Sequence, residues 1–231
     1  MCSWACAMAF GTTRQTPQPL PPRRATSSPM ACRRGVGKKM AMATETAPVL
    51  LRREGAAVWL TLNRPHVHNC LDLELLSQAQ GLLAAADWRA ARVLVITGAG
   101  RSFSTGGDLK AMLSSGKGAA ALADYAGRLV GALNAVIARL LDCPVPVIAC
   151  VNGPATGGAV GLMLAADLVA MAQDAFVQPY YGRLGFAPDG GWTALLPQRI
   201  GRARAAAWQI VNRRISAAEA LATGLADATA A

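Results

Sequence analysis

Residues 145–172, VPVIACVNGPATGGAVGLMLAADLVAMA, decide the fold, because their residue types change character three times. Val145–Val151 is a short apolar run rich in β-branched residues and reads as a buried strand. A helix opens at about Gly158 and extends to Ala166, and Asp167–Ala172 returns to strand character. Strand, helix, strand is the repeating unit of a mostly parallel sheet. The charge-free run between Asp142 and Asp167 is 24 residues long, enough to cross a bilayer by length alone. Pro144, Pro146, Asn152, Pro154 and the pair Gly157-Gly158 break it into strand, turn and helix. It therefore reads as protein core, and no membrane partner is expected.

The same alternation extends outward. Upstream, Val49–Arg53 and Ala57–Asn63 form a strand pair around Glu54-Gly55. Leu71–Ala86 carries leucines along one helical side, and Arg92–Thr97 (RVLVIT) is a second buried strand, ending in Gly98-Ala99-Gly100. Leu122–Leu141 has the apolar stripe of a long amphipathic helix. Downstream, helices are predicted at about Gly190–Pro197, Ala203–Val211 and Ser216–Thr223, the last with a Ser216/Glu219 capping box. The fold class is α/β. In such sheets ligands bind beyond the strand C-termini, where the loops after Thr97 and Val151 both lie.

The net charge of +10 suggests nucleic acid until it is divided along the chain. Residues 1–41 contain seven basic residues and no acid, whereas the remaining 190 contain 16 basic and 13 acidic ones. The nearly balanced part lacks a nucleic-acid footprint. Residues 1–41 are rich in Arg, Pro, Ser and Thr and have no hydrophobic period. They read as an unstructured basic leader: an organellar transit peptide, or sequence upstream of a true start at Met40 or Met42. Residues 42–231 then form the folded domain. The expected compartment is the cytoplasm, or a mitochondrion or other organelle if the leader is a transit peptide. Cys70, Cys143 and Cys150 lack metal-type spacing and read as buried thiols in a reducing compartment.

Two glycine loops and one acid carry the chemistry. In GAGRSFSTGGDLKAM (Gly98–Met112), Gly106-Gly107 precede Asp108, a natural cap for the next helix. In NGPATGGAVG (Asn152–Gly161), Gly157-Gly158 open a helix, whose free amides favour an anionic oxygen. Each loop also has a plain structural reading, as a tight turn and as close helix–strand packing, and neither matches a dinucleotide or phosphate-loop fingerprint. In GRLGFAPDGGWTALLPQR (Gly182–Arg199), a single carboxylate, Asp189, stands among apolar residues. An acid facing free backbone amides is the minimum equipment for moving a proton beside a carbonyl. Asp189 also reads as an N-cap for the Gly190–Pro197 helix.

Taken together and in order, LNRPHVHN (Leu62–Asn69), VLVITGAGRSFSTGGDLKAM (Val93–Met112), PVIACVNGPATGGAVGLMLAADLVAM (Pro146–Met171) and LGFAPDGGWTALLPQRIG (Leu184–Gly201) resemble the crotonase, or enoyl-CoA hydratase/isomerase, family. The likeness runs through about residues 47–228. It implies a crotonase-type spiral of ββα units with flanking helices, assembly as homotrimers or hexamers, and an acyl-CoA substrate, with no separate cofactor because CoA belongs to the substrate. It also implies an oxyanion hole formed by the amides of Gly107 and Gly158. CoA would lie along Gly107, Asp108, Leu109 and Lys110.

The chain departs from that pattern at the acid–base positions. Hydratases resembling it carry two glutamates, whose places here are taken by Gly161 and Tyr181. Asp189 stands instead where isomerase-like members carry their acid. The resemblance therefore favours an enoyl-CoA double-bond isomerase with Asp189 as the catalytic acid/base. A hydratase of the same family and a catalytically silent acyl-CoA-binding or assembly protein are the alternatives. Dehalogenase-like members use an aspartate at this position as nucleophile together with a histidine base, but His66 and His68 read as exposed residues entering the first helix. Tyr181 and Trp192 are candidate substrate-binding residues, and each reads equally as a packed core side chain. The likeness ends at Leu221–Ala231, where family members continue into further C-terminal helices, so that helical part is expected to be truncated.

Overall fold

The computed structural model describes residues 46–230. The leader expected at residues 1–41 lies outside the described residues. β1 (Val49–Glu54) and β2 (Ala57–Leu62) form an antiparallel pair across Gly55, in register from Val49↔Leu62 to Glu54↔Ala57. The chain then makes a single 3-10 turn and enters α1 (Leu73–Ala85), capped by Asp72, whose carboxylate accepts the Leu75 N–H at 2.8 Å. β3 (Val93–Gly98), the short α2 (Leu109–Ser114) and the 23-residue α3 (Ala119–Leu141) follow. The side of α3 carrying Leu129, Leu133, Val136, Ile137 and Leu140 is buried, the helical spacing expected of one apolar stripe.

Residues 145–172 fold as β4 (Val147–Val151), β5 (Ala155–Thr156), a 3-10 turn at Gly157–Ala159, α4 (Val160–Leu164) and β6 (Leu168–Ala172). Every residue of α4 is buried. The remainder comprises β7 (Phe176–Gln178), α5 (Tyr181–Leu184), α6 (Leu196–Ile200), α7 (Arg202–Ile210), β8 (Ile215–Ser216), α8 (Ala217–Thr223) and β9 (Ala228–Ala230). The main sheet runs β1-β2-β3-β4-β6-β9 and is parallel from β2 onward. A small second sheet, β5-β7-β8, stands beyond the C-terminal end of β4. The core is one cluster containing Leu60, Leu62, Leu75, Leu94, Ile96, Leu162, Met163 and Trp192, all almost completely buried. Among the described residues, no helix is long and apolar enough to cross a membrane.

The structure corrects one predicted helix. Gly190–Pro197 is not helical at its start: Gly190 and Gly191 adopt φ of 54° and 81°, which a right-handed helix excludes. Turns fill the interval, and α6 begins only at Leu196. Sequence reading also missed β5, β7, β8 and β9. The last capping contact is present, with the Glu219 N–H donating to Ser216 Oγ at 3.2 Å.

Candidate active site

The loop after β3 is held open from two sides by asparagine side chains. Asn69 is fully buried at φ 56°. Its Nδ2 donates to the carbonyls of Ala99, Ser102 and Phe103 at 2.8–3.1 Å, and its Oδ1 accepts the Arg64 N–H at 2.8 Å. Asn152, just past β4, accepts the Gly98 N–H at 3.1 Å and donates to the Gly100 carbonyl at 3.0 Å. Glycine at 98 and 153 is required by these close approaches. A Cβ at Gly98 would lie 2.3 Å from the Ser102 carbonyl oxygen, and one at Gly153 would lie 2.1 Å from that of Arg101.

Arg64, from the LNRP segment, ties two helix starts together. Its guanidinium lies 2.6 Å from Asp72, the α1 cap, and 3.5 Å from Asp108, the α2 cap. Asp108 caps α2 by accepting the Ala111 N–H at 3.0 Å. Gly107 is therefore fixed between braced elements. Leu71 donates to the Gly106 carbonyl and accepts from the Asp108 N–H, both at 2.8 Å. In that parallel bridge the N–H of Gly107 itself faces away from Leu71. A Cβ at Gly107 would meet only Leu129 Cδ2 at 3.4 Å, so neither φ nor packing demands glycine there. Gly158 lies in the first turn of its 3-10 helix, where N–H groups have no intrahelical acceptor.

Asp189 reaches this point from the other side. A Cβ built on Gly158 would lie 2.8 Å from Asp189 Oδ1, so the carboxylate rests directly against the glycine backbone. Asp189 does not cap a helix. Its Oδ1 accepts the phenol of Tyr181 at 2.5 Å, and the Trp192 N–H goes to its main-chain carbonyl. Burial pushes the Asp189 carboxyl above the usual range, opposed by the Tyr181 hydrogen bond. Burial first, then the neighbouring carboxylate charge, raises the Tyr181 phenol, which therefore stays protonated.

Gly107, Gly158, Tyr181 and Asp189 all line one cavity of about 790 Å³. Its wall is largely apolar and aromatic, with Leu129, Leu133, Phe176, Tyr180 and Phe186, and Asp189 is the one carboxylate lining it among the described residues. Leu109 also lines the cavity, whereas Asp108 and Lys110 do not. Trp192 requires a correction as a substrate contact. It is fully buried behind the wall, donates its indole N–H to the Gly157 carbonyl at 2.8 Å, and meets Tyr181 edge-on at 6.2 Å. His68 requires the opposite correction. It is half-buried, lines the cavity, and bonds through Nδ1 to Ser102 Oγ at 2.9 Å, while His66 is exposed. The 3-10 turn at Pro65–Val67 and the left-handed His68 and Asn69 turn that imidazole inward.

Gly161, at the first place where hydratases of this pattern carry a glutamate, has no room for a side chain. A Cβ there would lie 2.1 Å from the Gly190 carbonyl oxygen and 2.6 Å from Ile137 Cδ1.

Comparison with known proteins agrees with this architecture. The family model described as enoyl-CoA hydratase/isomerase matches residues 52–231. A probable enoyl-CoA hydratase of Rhodobacter capsulatus is 38% identical over 172 residues, covering 74% of this chain and 64% of that protein. The 1,2-epoxyphenylacetyl-CoA isomerase of Escherichia coli is 35% identical, covering 77% and 67%. The chain thus spans about two-thirds of the length of these curated relatives. A Thermobifida fusca crystal structure in complex with acetoacetyl-CoA superposes with a TM-score of 0.72 at 28% identity, covering 81% of this chain and 76% of that one. With the family model matching nearly the whole described length, the chain belongs to the enoyl-CoA hydratase/isomerase, or crotonase, family.

Proposed function

We propose that this chain is an enoyl-CoA double-bond isomerase, with Asp189 as the acid/base and the N–H groups of Gly107 and Gly158 as the oxyanion hole. The observation that carries this reading is a single cavity-lining carboxylate among the described residues, resting against Gly158, with the site of a second carboxylate closed by the Gly190 carbonyl. Asp189 takes a proton from C2 of a 3-enoyl thioester, and the electrons of that C–H bond move onto the thioester oxygen. The two amides stabilise the resulting enolate, each such donor typically lowering the barrier by about 3–4 kcal/mol. Asp189 returns the proton at C4, giving the conjugated 2-enoyl thioester. One carboxylate suffices because the same proton leaves and returns.

Hydration needs a second group to activate water, and Tyr181, bonded to Asp189 and held protonated, cannot serve as a base. The names of the relatives, hydratase and isomerase alike, do not separate the two reactions. Acyl-CoA as ligand is supported by the acetoacetyl-CoA complex of the Thermobifida fusca protein. Purified protein supplied with 3-enoyl-CoA and 2-enoyl-CoA in parallel tests the assignment. Isomerisation should exceed hydration by at least an order of magnitude, and the reverse ratio would establish the hydratase. Homotrimeric or hexameric assembly is the proposed quaternary state, checked by light scattering of the eluted protein.

A further inference from the structure

We propose that Tyr181 is the positioning residue of the isomerase: its phenol holds Asp189 Oδ1 and leaves Oδ2 as the oxygen that exchanges the proton with the acyl chain. The proposal rests on the isomerase reading above. A carboxylate in an apolar cavity has two problems: it rotates freely about its last torsion, and burial favours its neutral form, which is no base. The hydrogen bond from Tyr181 at 2.5 Å answers both. A phenol donating to a carboxylate is a charge-assisted bond, which stabilises the ionised form and fixes its plane. Among the described residues Oδ1 has no other side-chain partner and Oδ2 has none, so the bond assigns the two oxygens distinct roles.

The phenol is itself held. Tyr181 follows Tyr180, a non-glycine residue at φ 63°, a conformation that L side chains disfavour. The structure retains it because the Tyr180 N–H donates to Asn212 Oδ1 at 2.8 Å. The Tyr181 ring then meets the edge of Trp192, whose indole N–H is bonded to the Gly157 carbonyl. Asp189, Tyr181, Trp192 and Gly157 therefore form a continuous chain of contacts that returns to the residue before Gly158. Base and oxyanion donor are registered to each other through two aromatic rings rather than through the mobile end of one carboxylate. Simple packing of Tyr181 would require the ring but not the hydroxyl.

The test compares wild-type, Tyr181→Phe and Asp189→Asn protein over a range of pH with a 3-enoyl-CoA substrate. Loss of a hydrogen bond to a charged group should lower kcat in Tyr181→Phe by about 10–100-fold. KM should stay within about twofold, and the acid limb of the kcat profile should move to higher pH because the ionised carboxylate has lost its donor. Wild-type kcat with an unmoved acid limb in Tyr181→Phe would overturn the positioning role. Asp189→Asn separates this from failure of the underlying reading: if that variant keeps the wild-type rate, Asp189 is not the base and both fall. Should Tyr181→Phe melt far below wild type, 3-fluorotyrosine at 181 preserves the ring and strengthens the donor. Its acid limb should then move to lower pH, and an unmoved limb would overturn the proposal.

Discussion

At position 189, burial and function pull in opposite directions. The raised Asp189 carboxyl binds its proton more tightly in the folded chain than in the unfolded one. Its contribution to stability is therefore present below the unfolded pKa and is lost as pH rises through the folded value. On the proposed mechanism activity has the opposite sign, because only the ionised form accepts the proton. Asp189→Asn should accordingly lose about two to four orders of magnitude in isomerisation rate, while its melting temperature at pH 7 equals or exceeds wild type. That stability difference should shrink as pH is lowered toward the unfolded value, which calorimetry at several pH values would show. Gly158→Ala should act through the same residue, since its Cβ would sit 2.8 Å from both Asp189 Oδ1 and Leu133 Cδ2. Both neighbours are side-chain ends that can yield, so the variant should fold but displace the carboxylate, lowering kcat by at least about tenfold in a steady-state assay.

At the scale of elements, the glycine loop after β3 depends on residues far from it in sequence. Asn69→Ala would unpartner the Arg64 N–H and the Ala99 and Phe103 carbonyls, would leave the Ser102 carbonyl only a 3.4 Å bond from Asn152, and would place alanine at φ 56°. Leaving buried polar groups unsatisfied should cost at least about 3 kcal/mol, read from urea denaturation midpoints. Asn69→Gly, which accepts the backbone angle, should recover the smaller conformational part, about 1–2 kcal/mol. The long elements were readable in sequence because each carries its own period: β-branched runs in β3 and β4, a leucine stripe in α3. β5, β7 and β8 were not, because two or three residues cannot show a period, and Ala155–Thr156 is a strand only through its pairing with Val177–Gln178. The Asp189 turn misled for a related reason. Local chemistry permitted a cap, but the left-handed Gly190 and Gly191 end any helix there, and the carboxylate finds the Tyr181 phenol instead.

On the scale of the whole molecule, the site is assembled from residues 62–191, so ligand binding should register in global unfolding. A non-isomerisable acyl-CoA analogue at about 100 times its Kd should add about 2.7 kcal/mol of stability, roughly 5–10 °C in melting temperature for a chain of this size. Free CoA at equal concentration should give a smaller shift, since the apolar wall formed by Leu129, Leu133 and Phe176 has nothing to bury without an acyl group. Equal shifts for the two would place the binding energy outside the cavity. The membership and architecture of the chain were legible at this scale in the sequence itself, through the order and spacing of its glycine motifs. The inward turn of His68 and the withdrawal of Trp192 behind the wall were not, because both depend on which side of a loop a neighbour occupies.

The contact between Gly190 and Gly161 also bears on how this chain can change by mutation. Introducing a glutamate at 161 would drive its Cβ into the Gly190 main chain, and main chain does not yield as a side-chain end does. Gly190, in turn, lies over Gly158: a Cβ on it would be 2.5 Å from the Gly158 carbonyl oxygen. A first step toward two-carboxylate chemistry would thus deform the turn bearing Asp189 and the loop bearing Gly158 before any benefit appeared. A side chain at 161 is therefore compatible with this backbone only if the turn is remodelled before, or together with, that residue.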